Sequence, residues 1–261
     1  MKIDIHYGEG LLCLQIPEAN IEEIIRPWQD DEQSDSQTIL QQTLTGEQIE
    51  NFRQESTGKR LCVLLDDGTR DEPFDDIFAQ LSGILSPLSR GSQVRFLICT
   101  GTHNPDSEAN VKIREQMQKA ARQAGIKHFE IHAHDCHCDR LINAGTTSRG
   151  TEIVFSALAD QADVFLVLSD IKVHYFAGYS NPIKNFVPGI CAYRTTEQNH
   201  SLALDDRSTF GVHPWRKDKS RRNNSLAQDQ LEGMRLIVKD RPVYALATIS
   251  NAKRMPASRA D

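Results

Sequence analysis

The sequence lacks most features that would take it out of the ordinary globular class. It has no apolar run of roughly 18 residues, the length that a membrane-spanning helix needs, and its opening, MKIDIHYGEG, has no apolar signal core. Those absences predict a soluble, cytoplasmic protein that makes no use of a membrane. Internal repeats and low-complexity tracts are missing too, which argues against solenoids and disordered arrays. Excess positive charge is absent: 30 Lys and Arg stand against 36 Asp and Glu, a formal net charge of -6, so no global attraction to nucleic acid is expected. Without a signal peptide, the six cysteines do not read as a disulfide framework. Cys13, Cys62, Cys99 and Cys191 stand in apolar text (LLCLQI, RLCVLL, FLICTG, PGICAY) and read as small buried hydrophobes.

What is present is an α/β pattern. The 261 residues, 39% of them hydrophobic, suffice for one large domain or two small ones. Lys2–Tyr7 and Leu11–Ile16 flank Gly8-Glu9-Gly10 as an N-terminal hairpin. Residues 17–56, rich in Gln, Glu and Asp, predict two helices. After them, short apolar runs at 60–65, 93–99, 127–132 and 164–169 alternate with helical spacings at 74–88, 106–124 and 157–161. That alternation predicts a Rossmann-like, mostly parallel sheet with flanking helices. A helix over 228–238 and a strand over 242–249 follow. Residues 1–240 are expected to form the main α/β domain, and 241–261 the truncated start of a second domain or a tail.

Ligands of such sheets gather at the carboxyl ends of strands, and three polar segments fall there. Asp66-Asp67-Gly68-Thr69-Arg70 offers a glycine for close backbone approach, a hydroxyl, and a guanidinium fork for phosphate or carboxylate, or else a plain turn and helix start. Thr100-Gly101-Thr102-His103-Asn104 sets a histidine behind a glycine, where it suits acid/base work or serves as a loop residue. The segment from His174 to Gly189, HYFAGYSNPIKNFVPG, is dense in glycine, aromatic and proline residues. Its Lys184, partly buried, suits a nucleophile or covalent anchor. His200 follows at the end of a polar segment. A fourth cluster, His132-Ala133-His134-Asp135-Cys136-His137-Cys138-Asp139, has zinc-ligand residue types at crowded spacing, and reads better as a polar loop.

Together these segments resemble the lactate racemase family that uses the nickel-pincer nucleotide. The matching text is Asp67–Arg70, Thr100–His103, His174–Gly189 and Asn199-His200, with Gly145–Thr151 and His134–Cys136 in support. The resemblance covers roughly residues 1–240, in order and with matching separations. It implies that Lys184 is joined to the cofactor's pyridinium ring through a thioamide, and that His200 ligates nickel. It further implies that His103 and His174 are the paired acid/bases. Asp67, Gly68, Thr69 and Arg70 would hold the mononucleotide, Arg70 also facing an anionic substrate group. The implied reaction racemises or epimerises a 2-hydroxy acid by hydride transfer through a planar 2-keto acid, with two histidines near neutral pKa exchanging roles. Asn181-Pro182-Ile183 stands where the family often has glycines and an arginine. The family's second α/β domain is largely absent. The implied partners are the substrate, a second-domain subunit and the proteins that synthesise the cofactor. Two other readings are the non-catalytic cofactor-binding half of a split or truncated enzyme, and a metal-dependent hydrolase built on the His132–Cys138 cluster.

Overall fold

The computed structural model describes residues 1–7, 10–23, 36–44, 46–70, 74–89 and 91–249. The turn of the expected hairpin at 8–9 and the expected tail from 250 onward lie outside these. Strands β1 (Lys2–Tyr7) and β2 (Gly10–Gln15) pair antiparallel, from Lys2 opposite Gln15 to Tyr7 opposite Gly10. This hairpin belongs to one unit, and residues Ser34–Ser250 form another.

In the second unit, helices α1 (Ser36–Thr43) and α2 (Glu47–Ser56) precede β3 (Arg60–Asp66) and α3 (Phe74–Leu85). Then come β4 (Gln93–Cys99), α4 (Glu108–Gln123) and β5 (Phe129–Ala133). An antiparallel pair follows, β6 (Leu141–Thr146) with β7 (Glu152–Ser156), and after it α5 (Ala157–Asp160) and β8 (Val164–Asp170). A second small pair, β9 (Lys172–His174) with β10 (Gly178–Ser180), leads into α6 (Pro182–Phe186) and α7 (Tyr193–Ser201). The helix α8 (Ser225–Val238) and the strand β11 (Val243–Thr248) complete the described chain.

The main sheet has the order β11-β8-β3-β4-β5, all parallel, with helices on both faces. Alternation along β3 shows why. Leu61, Val63 and Leu65 join the core beneath α3 and α4, whereas Cys62 and Leu64 join the core beneath α6 and α8. A strand covered on both faces reads as a continuous apolar run, as LCVLL does. Truncating a core residue such as Phe96 or Leu64 costs about 3 kcal/mol. Chain connections leave β3 toward β4 and leave β8 toward β11, in opposite directions. The crevice between the carboxyl ends of β3 and β8 is therefore the switch point where ligands of such sheets bind.

One expectation is corrected by the sheet. The strand near 242–249 does not open a second domain: Val243 pairs with Phe165 and Thr248 with Asp170, so β11 is an edge of this same sheet. A six-residue strand carries no local signal of which sheet edge it joins, and only the tertiary pairing decides it. The pairs β6–β7 and β9–β10 and the helices α6 and α7 have no separate signal in the sequence reading. Asn181, whose Oδ1 accepts from Ile183 N at 2.9 Å, and Pro182 start α6 inside what reads as loop text.

Candidate active site

The three strand-end segments converge on one cleft of about 470 Å³. Asp67, Thr69 and Arg70 reach it from β3, His103 from β4, His174 from β9, Lys184 from α6 and His200 from α7. Of the eight residues to which the resemblance assigns a role, Gly68 alone is not on its lining. Its N–H donates to Asn110 Oδ1 at 2.8 Å, and an added Cβ would fall 2.2 Å from Ala109 Cβ. The glycine therefore serves the close approach of the loop to α4. Buried Asn110, which also donates to Asn104 O, clamps the β3 and β4 loops together.

The histidines differ in their partners. His103 Nδ1 lies 2.8 Å from Asp67 Oδ2, and Thr69 Oγ1 donates to Asp67 Oδ1 at 2.7 Å. A carboxylate only accepts, so Nδ1 carries the proton and Nε2 is left to take another. This hydrogen bond to Asp67 raises the His103 pKa, over an opposing effect of burial. His174 has the reverse arrangement. Its Nδ1 accepts from Ala177 N at 3.3 Å, so its neutral form carries the proton on Nε2. Burial, then the cations Lys184 and Arg70, pull its pKa down to about 4. Two histidines of near-neutral, interchangeable pKa were expected; the structure drives them apart, because one faces a carboxylate and the other aromatic rings and cations.

His200 Nδ1 lies 2.8 Å from Thr196 O, one helical turn back on α7, which leaves the Nε2 lone pair available as a ligand. Burial lowers its pKa, as does nearby Lys184, so the free imidazole is favoured. The Phe176 ring stands edge-on between the two, with centroids 4.5 Å from His174 and 5.2 Å from His200. For Lys184, burial first and the Arg70 guanidinium second bring the amine down to about 7, against the pull of Asp66. This lowering favours the free amine, the nucleophilic form. The turn before α6 is set by Gly178, at φ +77°, whose added Cβ would fall 1.9 Å from Val212 O.

Sequence reasoning passed over several lining residues. Thr196, at i−4 from His200, was findable by helical spacing. Cys99, read as core, is both buried and on the cleft wall. Asp66 holds Asn185, Ser169 and the Asp170 backbone together, which no local signal announces.

The zinc-like cluster is different in kind. Asp139 bridges His132 Nε2 and His134 Nδ1, each at 2.8 Å, and His134 Nε2 lies 2.9 Å from Cys191 O. Burial pushes the Asp139 pKa up, but the two histidine contacts outweigh it and hold the carboxyl well below the usual range. His134 is wholly buried with both ring nitrogens committed, and among the described residues no three His, Cys, Asp or Glu side chains converge as metal ligands.

A parallel sheet with Lys, His and Arg meeting at its switch point defines an α/β domain with a polar, cationic cleft at the carboxyl ends of its strands. Residues 7–211 match the family model described as lactate racemase N-terminal domain, and the chain belongs to that family. The lactate racemase of Lactiplantibacillus plantarum is 27% identical over 142 residues, covering 54% of this chain and 32% of the relative. The lactate racemase of Thermoanaerobacterium thermosaccharolyticum is 22% identical over 239 residues, covering 88% of this chain and 52% of the relative. The solved lactate racemase apoprotein of the latter organism superposes with a TM-score of 0.75 at 20% identity, over 97% of this chain and 57% of that one, a likeness of fold. The chain thus spans about half the length, or less, of the curated relatives it matches. Among the described residues no helix is long and apolar enough to cross a membrane.

Proposed function

We propose that this chain binds a nickel-pincer nucleotide through Lys184 and takes part in racemising or epimerising a 2-hydroxy acid. The observation that carries this reading is the meeting, in one cleft, of an amine held near neutrality with a histidine whose Nε2 is left as a free ligand. The donor set fits the group: Lys184 as covalent anchor, His200 as imidazole ligand to nickel, and Arg70 with Thr69 for anionic oxygens. When bound, the cofactor supplies the hydride acceptor, and the protein supplies position and proton management.

The two catalytic histidines start with opposite tautomers. His103, oriented by Asp67, accepts the substrate hydroxyl proton on Nε2. His174 presents an Nε2–H that hydrogen-bonds the carbonyl oxygen of the planar 2-keto acid, and the proton taken up by His103 is the one returned when that acid is reduced. Arg70 offers a fork to the substrate carboxylate. His103, with a side chain 49% exposed, lies on a solvent-facing wall, and this favours a second reading in which the chain holds cofactor and turns over only with a second-domain partner enclosing the substrate.

Intact-mass and nickel analysis of protein made in cells that synthesise the cofactor tests the assignment. The wild type is expected to carry the adduct on Lys184, and Lys184→Ala to lose it; normal adduct mass and nickel in that variant would sink the assignment. A racemisation assay with 2-hydroxy acids, with and without a second-domain protein, separates the two readings.

A further inference from the structure

Asn185 has its hydrogen bonding half complete. It follows Lys184 on α6, is 1% exposed, and lines the cleft. Its Nδ2 donates to Asp66 Oδ1 at 2.7 Å. The other oxygen of Asp66 accepts from Asp170 N at 3.1 Å and Ser169 Oγ at 3.3 Å. Because a carboxylate accepts, the amide orientation follows from chemistry: the NH2 faces Asp66 and the carbonyl oxygen is turned away from it. That oxygen has no hydrogen-bond partner among the described residues. Buried carbonyl oxygens are rarely left so, and one borne by a residue that lines a cleft calls for a donor from the ligand.

The inference rests on the nucleotide reading above. A pyridinium mononucleotide with ionised phosphate and ring acid groups offers acceptors at both ends, and its ribose hydroxyls are its donors. We propose that Asn185 Oδ1 accepts a hydrogen bond from a ribose hydroxyl of the nucleotide anchored at Lys184, with Asp66 as the positioning residue that fixes the amide. The cleft then selects ribonucleotides by an acceptor that a deoxy sugar leaves unmatched.

Calorimetric titration of the full chain with nicotinic acid mononucleotide and with its 2′,3′-dideoxy counterpart tests this. The wild type is expected to bind the ribose form about 3- to 10-fold more tightly, the range of one neutral hydrogen bond. Asn185→Ala is expected to erase that preference while leaving affinity for the dideoxy form unchanged, and Asp66→Ala to reduce it by freeing the amide to turn. Equal binding of the two probes by the wild type overturns the inference, and needs no variant. Equal weakening of both probes in Asn185→Ala also overturns it, since that result assigns the residue to folding. If the wild type binds neither probe, the nucleotide reading itself fails, and this inference with it.

Discussion

Two histidine-rich regions lie on this domain, and the one that looks more like a metal site in sequence is the one that structure retires. The 132–139 loop packs three histidines and two cysteines into eight residues. In three dimensions His134 spends both ring nitrogens, on Asp139 and on Cys191 O, so it ties β5 to the start of α7. The cleft gathers its three histidines from positions 103, 174 and 200, and each keeps one ring nitrogen without a protein partner among the described residues. Chemical capacity resides in donors and acceptors that the fold positions but does not use. Density of ligand-type residues along the chain is a poor guide to it.

That contrast is open to direct attack, and the largest effect is expected in the cleft. His103→Ala and His174→Ala should each retain the Lys184 adduct yet lower racemisation by about 100-fold or more, the usual scale for a general acid or base; unchanged turnover in both would remove them from the mechanism. The second comparison exchanges the regions. His134→Ala should destabilise the fold by about 2–4 kcal/mol, through a cavity and the unmatched buried carbonyl of Cys191, while leaving nickel content intact. His200→Ala should do the opposite, losing nickel with a stability change within about 1 kcal/mol. Loss of nickel in the His134 variant, read by metal analysis beside a denaturation curve, would break the comparison.

Smaller effects concern protons. In imidazole NMR titrations His103 should titrate above 6.5 and His174 near 4, and Asp67→Asn should lower the His103 value. A His103 value unmoved in that variant would detach the pair. His213, buried near Asn181 and Trp215 N, is also drawn to about 4 by burial. For His174 and His213 the unfolded chain, at an ordinary value of 6.5, takes up protons that the folded protein refuses. Their stabilising contribution is therefore full above 6.5 and is lost as pH falls toward 4. His103 has the opposite sign, contributing fully below 6.5 and fading as pH rises through its raised value. Urea denaturation at pH 7 and pH 5 should show lower stability at pH 5, and His213→Gln should flatten the slope. An identical slope in that variant would remove His213 from the effect.

Much of this architecture is readable along the chain. The runs at β3, β4 and β8 are apolar on both faces, so their burial is marked residue by residue, and their polar successors are marked as strand-end loops. The special text from His174 to Gly189 likewise advertises the segment that carries Lys184. The close approach of Ala109 to Gly68 is not legible in the sequence, because a turn glycine looks the same whether a ligand or a helix approaches it. Asp66 stands in the first strand-end segment, but its bracing role is not legible there, because its partners Asn185, Ser169 and Asp170 lie more than 100 residues away in sequence.

Composition and periodicity by themselves determined the α/β class, the doubly covered sheet and the strand ends at which chemistry gathers, because burial on two faces imposes a pattern that each strand carries locally. The lysine and the three histidines were also visible one at a time. Only the tertiary structure decided that β11 closes the same sheet, that the 132–139 cluster is a brace, and that His103 and His174 are driven to opposite protonation behaviour. Those outcomes depend on which carboxylate, carbonyl or cation comes within a few ångströms of each group. Such proximity is a property of the packed sheet and its crossing loops, and no short stretch of sequence contains it.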